Sequence, residues 1–388
     1  MADVIIVGGG LAGLFNALLL NRAGMQVTLI EKKVYPFHRV CGEYISNEVL
    51  PFFDQLGIDV APLQVSRINR LEVTAASGAK FSHPLDLGGF GLSRYTFDHY
   101  MYQKASAEGV RFLLDTQVED IRFHNNSFEV ITNHETLTAP LVIGAFGKRS
   151  NLDRKLNRAF FYRRSPYVGI KVHAKINFPD DLIQLNNYKD GYCGVIKVEA
   201  DRYCMCSLAH RDDLRKYGSL EALQENIICQ NPYQKELFDH AELLMDKPEV
   251  INEISFEKKQ PVENHILMSG DTAGMIAPLC GNGMTMAIHS AKILSETIRQ
   301  YYRPNRPFPV QQRAALEQAY RQAWNQQFAR RLWVGRQLQH LFGSNRMIDW
   351  AIRSLNYAPL LSQLVMERTH GKPFNLKPSA FSPFVSPK

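Results

Sequence analysis

Three glycines follow an apolar run near the start of the chain. Gly8, Gly10 and Gly13 lie in V-G-G-G-L-A-G, after the run 3–7 and at the start of a helical pattern over 11–23. Gly8 permits a tight turn from strand to helix, Gly10 leaves room for a pyrophosphate beside the backbone, and Gly13 lets the helix pack closely on the strand. The free N–H groups of the helix N-terminus would bind the phosphates.

Glu31 is the acidic group that such a turn needs. It ends a second predicted strand, 26–31, where a carboxylate can accept hydrogen bonds from ribose hydroxyls. The strand–helix–strand order together with the acid predicts a dinucleotide site. An ordinary glycine turn that caps a helix is the alternative.

A second motif, S-G-D-T-A-G-M-I-A-P-L-C-G-N-G, covers 269–283. Asp271 follows a predicted strand at 265–269, and its carboxylate would bind hydroxyls such as those of a ribityl chain. The loop after it feeds a predicted helix over 282–301, whose N–H groups suit the electron-rich edge of a reduced flavin. The alternative is a surface turn in which the Asp caps a helix.

The elements that position these motifs alternate between helix and strand. Strands are predicted near 110–114, 117–123, 127–132 and 136–144, and an antiparallel sheet over 165–210. Helices are predicted over 97–109, 219–229, 232–245, 310–342 and 346–356.

The composition is that of a folded globular protein. Of the 388 residues, 45% are hydrophobic and 21% charged, which excludes a disordered or fibrous chain. No apolar run reaches the roughly 20 residues of a spanning helix. Residues 299–388 carry 14 basic and 3 acidic residues, so the net charge of +7 is concentrated there and favours an anionic partner or surface.

The two glycine motifs and their order resemble the FAD flavoproteins of the p-hydroxybenzoate hydroxylase fold. Within that superfamily, Y-P-F-H-R-V-C-G-E-Y-I-S at 35–46 and L-S-R-Y-T-F-D at 92–98 resemble segments of the geranylgeranyl reductase family. The resemblance covers roughly residues 1–300.

The resemblance implies an α/β fold with a Rossmann-like FAD-binding domain, a β-rich substrate domain and a C-terminal helical extension. We assign 1–70, 98–155 and 264–300 to the FAD-binding domain, 71–97 and 156–263 to the substrate domain, and 301–388 to the extension.

Carried over residue by residue, the resemblance also implies a cofactor site. Arg39 and Arg94 would lie near the flavin phosphates or ring-side loops, and Asp271 would hold the ribityl chain. The predicted cofactor-binding set is Gly8, Gly10, Gly13, Glu31, Arg39, Arg94, Asp271, Pro278, Gly281, Asn282, Gly283 and Met284.

Cys41 is the predicted catalytic residue. A thiol near a flavin would position a substrate or donate a proton if its pKa were shifted, although a single Cys is more often a small buried hydrophobe. Glu43 beside it is a weaker candidate acid or base. No metal site is expected, because the six cysteines include no C-x-x-C pair.

One position departs from the superfamily pattern. Its members usually have Asp-Gly in the segment that matches G-A-F-G-K-R-S at 144–150, and Phe146 stands where the Asp is expected. The departure puts the usual NAD(P)H docking in doubt, so NAD(P)H or another electron donor remains open.

The predicted activity is that of an FAD-dependent oxidoreductase on a hydrophobic isoprenoid, lipid or polyketide, reducing carbon–carbon double bonds by hydride transfer from reduced FAD. The alternatives are a monooxygenase that hydroxylates an aromatic or polyketide substrate through a flavin C4a-hydroperoxide, and a non-catalytic flavin-binding partner protein. Halogenation is disfavoured, because Trp324, Trp333 and Trp350 do not form W-x-W-x-I-P.

The expected location is cytoplasmic or peripheral at the inner face of a membrane. The basic, aromatic stretch 310–370 would contact an anionic membrane or an acidic carrier protein. The alternative, which the four-residue spacing of Tyr320, Trp324 and Phe328 favours, is a helix packed on the flavin domain. No nucleic-acid partner is expected.

Overall fold

The computed structural model describes residues 2–163, 165–252, 254–277, 281–341, 345–357 and 371–376. The strands in these residues are β1 (Val4–Val7), β2 (Val27–Ile30), β3 (Tyr44–Ser46), β4 (Ser66–Thr74), β5 (Lys80–Gly91), β6 (Arg111–Leu113), β7 (Val118–His124), β8 (Ser127–Thr132), β9 (Thr136–Ala139), β10 (Leu141–Gly144), β11 (Tyr167–Lys175), β12 (Leu182–Tyr188), β13 (Gly191–Lys197), β14 (Tyr203–His210), β15 (Glu242–Leu243), β16 (Glu249–Asn252), β17 (Val262–Glu263) and β18 (Ile266–Met268).

The helices in the same residues alternate with these strands. They are α1 (Leu11–Arg22), α2 (Leu50–Leu56), α3 (Arg94–Ala107), α4 (Asn151–Lys155), α5 (Arg211–Tyr217), α6 (Leu220–Asn226), α7 (Pro232–Asp239), α8 (Gly283–Tyr301), α9 (Val310–Leu341) and α10 (Asn345–Tyr357).

The first sheet has the order β17-β18-β10-β1-β2-β6 and is parallel except at β17. Its inner strands are short apolar runs such as V-I-I-V in β1, which is buried at every position because α1 and the strand β9 of a separate three-stranded sheet pack against it. β1, α1 and β2 form the predicted strand–helix–strand unit, with Val4 paired to Val27. The α/β, Rossmann-like fold predicted from the sequence is therefore confirmed.

The second sheet has the order β15-β11-β14-β13-β12-β4-β5-β3, with β16 also paired to β11. It is antiparallel except where β4 lies beside β12. It contains the antiparallel strands predicted over 165–210 and adds the β4–β5 hairpin, which had no predicted strands. A separate three-stranded sheet has the order β7-β8-β9.

Two predicted elements differ from the structure. The strand predicted over 136–144 is two strands in different sheets, because Pro140 between them has no N–H to continue a ladder. The helix predicted over 232–245 ends at Asp239, and the chain then enters β15.

The C-terminal helix α9 packs on α8 through its aromatic stripe. Tyr320, Trp324 and Phe328 are all buried, and the Tyr320 hydroxyl donates to the carbonyl of Met268 at 2.6 Å. Within the described residues, no helix combines the length and the apolar character that crossing a bilayer requires.

Candidate active site

A cavity of about 850 Å³ lies between the carboxyl ends of the parallel strands and one face of the second sheet. β1, β2, β10 and β18 end at the same edge, so the loops that follow them converge there, as in other open α/β sheets. Both glycine motifs are in these loops. Of the residues predicted from the sequence, Gly8, Gly10, Glu31, Arg39, Cys41, Arg94, Asp271, Gly281, Gly283 and Met284 line the cavity.

In the first glycine turn, Gly8 and Gly13 are needed for folding and Gly10 for ligand access. A Cβ on Gly13 would lie 1.9 Å from the carbonyl oxygen of Gly8, so Gly13 allows α1 to approach β1. Gly8 has φ +107°, a conformation that L side chains rarely adopt. By contrast, a Cβ on Gly10 would meet only the Arg94 side chain, at 3.3 Å. Gly10 therefore leaves space in the cavity itself.

The N-terminus of α1 is open towards an anion. No side chain caps it, and its first turn contains no acidic residue. Its free N–H groups and the positive end of the helix dipole therefore face the cavity floor beside Gly10.

Two arginines are held at the cavity by acidic partners. Asp98 accepts two hydrogen bonds from Arg94, each at 2.7 Å, and one from Arg39 at 3.1 Å. Arg39 also donates to Glu31 at 2.9 Å, and Glu31 accepts from the backbone N–H of Gly9 at 2.8 Å. Burial acts to lower the pKa of Arg94, but the Asp98 carboxylate outweighs it and the pKa is raised.

The second motif forms the opposite rim. Asp271 has a half-buried side chain, and its backbone carbonyl accepts from Lys259 at 2.8 Å. Asn282, just before α8, is fully buried and does not line the cavity, because its amide donates to Glu48 at 2.7 Å. Pro278 lies outside the described residues.

Glu48 also receives a C-terminal segment, residues 371–376. The N–H of Gly371 donates to the Glu48 carboxylate at 2.6 Å, and the N–H of Phe374 donates to the Glu48 carbonyl at 3.2 Å. The Phe374 ring stacks on His289 of α8 with centroids 4.0 Å apart. The C-terminal segment is therefore joined through one carboxylate to the loop of Asn282.

Cys41 lies at the cavity with a half-buried side chain, and its Sγ accepts the N–H of Glu43 at 3.5 Å. Glu43 itself is fully buried and ionically paired with Lys171, and it accepts from His173 Nε2 at 2.6 Å. Burial acts to raise the pKa of Glu43, but Lys171 and then His173 outweigh it and lower the pKa to about 2.

The side of the cavity on the second sheet is apolar. Residues of three neighbouring strands alternate in and out of the sheet, so the same face presents one set of side chains. This apolar wall consists of Ile183 and Leu185 on β12, Tyr192, Gly194 and Ile196 on β13, and Cys206 on β14. Burial raises the pKa of the Cys206 thiol to about 12, so the wall carries no thiolate at neutral pH.

The segment 144–150, in which Phe146 stands where the superfamily has Asp, is hydrogen-bonded to the second motif. The N–H of Gly147 donates to Thr272 Oγ1 at 2.8 Å. Lys259 donates to the carbonyls of Lys148 and Asp271, and burial lowers the pKa of this ammonium to about 8. Phe146 itself lines the cavity.

The FAD-binding domain family model matches residues 1–307. The chain belongs to that family. FAD is its cofactor, and it is an FAD-dependent oxidoreductase. The family assignment agrees with the geometry: the uncapped N-terminus of α1, the space beside Gly10 and the carboxylate of Glu31 are the groups that the ADP half of FAD requires.

Among curated proteins, the chain is similar to conditioned medium factor receptor 1 of Dictyostelium discoideum, at 24% identity over 77% of this chain and 64% of that protein. The match therefore spans less than two thirds of that relative. It is similar to 3-hydroxybenzoate 6-hydroxylase of Klebsiella oxytoca, at 25% over 76% of this chain and 79% of that protein. It is also similar to menaquinone reductase of Mycolicibacterium smegmatis, at 26% over 46% and 45%.

Two solved structures share the fold over almost the whole chain. A flavin-dependent brominase superposes with a TM-score of 0.77 at 18% identity, covering 95% of this chain and 93% of the other. A geranylgeranyl bacteriochlorophyll reductase-like protein from Thermoplasma acidophilum gives a TM-score of 0.73 at 16% identity, covering 98% and 94%. These likenesses show the fold, and together with the family model they support the p-hydroxybenzoate hydroxylase-like superfamily.

Several site residues were missed by the sequence analysis. Asp98 ends the motif at 92–98, but no role was predicted for it, and no sequence pattern pointed to Glu48. Lys171 and His173 gave a weak signal: they alternate with apolar residues in the middle of β11, and so they face the same side.

Proposed function

We propose that this FAD-dependent oxidoreductase reduces carbon–carbon double bonds of a hydrophobic substrate and belongs with the geranylgeranyl reductases. The observation that carries the proposal is the apolar wall opposite the FAD-binding turn. A cavity with one phosphate-binding floor and one apolar side suits a cofactor and an apolar substrate together. The similarity to menaquinone reductase adds support, because the name of that relative describes reduction of menaquinone, a compound with an isoprenoid side chain.

The chemistry divides between cofactor and chain. When bound in its reduced form, FAD would supply a hydride, with its two electrons, to one carbon of the double bond. The second carbon needs a proton, and Cys41 is the group of the cavity rim that we assign to supply it; solvent then returns a proton to the sulfur. The apolar wall orients the substrate and excludes water.

A monooxygenase is the second candidate. It is favoured by the hydroxylase relative, whose match covers 76% of this chain against 46% for menaquinone reductase. An aromatic ring would fit against the same apolar wall. The brominase likeness is one of fold alone, and it supports neither candidate.

One experiment separates the two. The purified protein is loaded with FAD, reduced with dithionite without oxygen, and offered a polyprenyl compound or a menaquinone. Product whose isoprenoid chain has gained two hydrogens at a carbon–carbon double bond supports the reductase; two hydrogens gained on the quinone ring do not count, because dithionite alone adds them. Product formed only in ¹⁸O₂ and carrying the label supports the monooxygenase and overturns the first proposal. A Cys41→Ser variant serves as the matched control for proton supply, and parallel assays with NADH and NADPH identify the electron donor.

We also infer that the stretch 310–370 contacts an anionic membrane, from which an apolar substrate would reach the cavity. Trp333 and Trp350 support this, since 58% and 72% of their surfaces are exposed, and Trp favours the headgroup level. Co-sedimentation with phosphatidylglycerol vesicles, but not with phosphatidylcholine vesicles, is expected. Binding to neither, with binding to an acidic carrier protein, would overturn the membrane contact.

A further inference from the structure

A group of three ionisable side chains is buried between the cavity and the second sheet. Glu43, Lys171 and His173 are exposed by 2% or less. The Lys171 ammonium and His173 Nε2 both donate to the Glu43 carboxylate. Burial acts to lower the pKa of Lys171, but Glu43 outweighs it and the pKa is raised, so the pair is ionised. We call these three residues the buried triad.

The buried triad and its neighbour Cys204 are hydrogen-bonded to one short segment of the chain. Lys171 also donates to the carbonyl of Arg39 at 3.2 Å. Cys204, on the strand next to β11, donates its thiol to the carbonyl of Cys41 at 3.4 Å. The second sheet thus holds alternate residues of the segment 39–43, which carries the cofactor-side Arg39 and the cavity-facing Cys41.

The triad lies next to a hydrogen bond that orders the other side of the segment. The N–H of Arg94 donates to the Glu43 carboxylate at 2.9 Å. Glu43 therefore accepts from a strand of the second sheet and from the N-terminus of α3, whose Arg94 lines the cavity. The cofactor side and the substrate side of the cavity meet at this carboxylate.

Stability alone does not account for such a group. Replacing buried ion pairs with well-packed apolar side chains is often neutral or stabilising, because the attraction repays the loss of hydration only in part. Glu43, His173 and Cys204 also have ligand atoms within 4.8 Å of one another. The ammonium of Lys171 already neutralises Glu43, however, and burial raises the pKa of Cys204 well above its usual range, so we do not assign a metal there.

We propose that Glu43, Lys171 and His173 are positioning residues that fix the segment 39–43, so that Cys41 faces the cavity and Arg39 faces the cofactor. Their action on the reaction passes through the segment and not through contact with the substrate. The proposal rests on FAD binding and on the cavity position of Cys41, and it holds for either candidate reaction.

The test uses full-length protein and two readouts other than turnover. One is the rate at which iodoacetamide alkylates Cys41, measured on the Cys41 peptide by mass spectrometry with and without FAD. The other is the dissociation constant of FAD, measured by flavin fluorescence. His173→Leu removes the donor to Glu43, and His173→Gln places an amide N–H near the position of Nε2. Lys175→Met is the control, because Lys175 lies on the same face of the same strand in an exposed ion pair.

In His173→Leu we expect iodoacetamide to alkylate Cys41 about tenfold faster and FAD to bind about tenfold more weakly, because a hydrogen bond to a charged group is lost. His173→Gln should return both values towards wild type. The proposal is overturned if His173→Leu lowers thermal stability but matches Lys175→Met in both readouts, or if the Gln variant behaves like the Leu variant.

A second variant guards against a folding failure. Glu43→Gln combined with Lys171→Met removes both charges together and leaves no unpaired ion in the core. If it folds and retains native Cys41 reactivity and FAD affinity, the triad has only a structural role. If the wild-type protein shows no reductase activity while the variants still change Cys41 reactivity and FAD affinity as expected, the proposed reaction fails and the positioning role stands.

Discussion

Gly10 and Gly13 lie three residues apart in the same turn, yet their substitution by alanine should have opposite consequences. A Cβ on Gly10 meets no backbone atom and projects into the cavity beside the N-terminus of α1, whereas a Cβ on Gly13 collides with the Gly8 carbonyl oxygen at 1.9 Å. Gly10 has φ −82°, which alanine adopts without strain. Gly10→Ala should therefore be a defect of FAD binding, and Gly13→Ala a defect of folding.

The magnitudes follow from these contacts. Gly10→Ala replaces a tolerated cap residue, so the free energy of unfolding of the FAD-free protein should change by less than about 1 kcal/mol. A Cβ in the path of the pyrophosphate should disturb at least one hydrogen bond to a charged phosphate, worth about 1.5–3 kcal/mol, or roughly 10- to 100-fold in FAD affinity. Gly13→Ala should lower the free energy of unfolding by about 3 kcal/mol, the upper end of overpacking costs.

Two titrations decide the matter. Urea unfolding of the FAD-free variants, followed by circular dichroism, gives the stabilities, and quenching of FAD fluorescence gives the affinities. If Gly10→Ala binds FAD as tightly as wild type, the space beside Gly10 is not where the pyrophosphate lies. If Gly13→Ala is as stable as wild type, the close packing of α1 on β1 has been overvalued.

Three further predictions concern the second motif and the stacked rings of His289 and Phe374. Asp271→Ala should weaken FAD binding by about tenfold in fluorescence titration, since it removes the carboxylate assigned to the ribityl hydroxyls, while the backbone carbonyl that Lys259 contacts is kept. Burial, followed by Lys292 and Arg331, lowers the pKa of His289 to about 3. The fold therefore favours neutral His289, and acid destabilises the folded protein because the unfolded chain binds a proton there more readily. Wild type should lose up to about 2 kcal/mol of unfolding free energy between pH 6.5 and pH 5. In urea titrations at the two pH values, His289→Phe should lose less. Phe374→Ala should lower the unfolding free energy by about 3 kcal/mol in the same assay. It should also weaken FAD binding, because the C-terminal segment is joined through Glu48 to the loop of Asn282. Unchanged FAD affinity would show that this connection does not contribute to FAD binding.

The sequence revealed the parts of the site that are encoded locally. The glycine turn, the apolar strands beside it and Glu31 lie within about 30 residues, and their types alone specify a nucleotide-binding unit. Cys41 was found through resemblance and not through spacing, and its catalytic role stays a prediction, as do the domain bounds.

The contacts between distant residues could not be predicted in this way. Glu43 and His173 are 130 residues apart, and Glu48 and Asn282 are 234 apart. Their contact depends on how the two sheets are placed, which no local pattern encodes. Pro140 shows the converse case: a strand break that its missing N–H made foreseeable, but which the apolar run around it concealed.

The C-terminal segment has a consequence for the order of events during synthesis. Glu48 and the loop of Asn282 are made early and late, respectively, and the N–H of Gly371 reaches Glu48 only after at least 371 residues have been translated. A nascent chain would therefore complete its glycine turn long before it completes the opposite rim. Flavin captured before that point would be held from one side, and its residence time should lengthen when residues 371–376 dock. In cells short of FAD, emergence of residues 371–376, and not formation of the first turn, would set the moment at which the cofactor is retained.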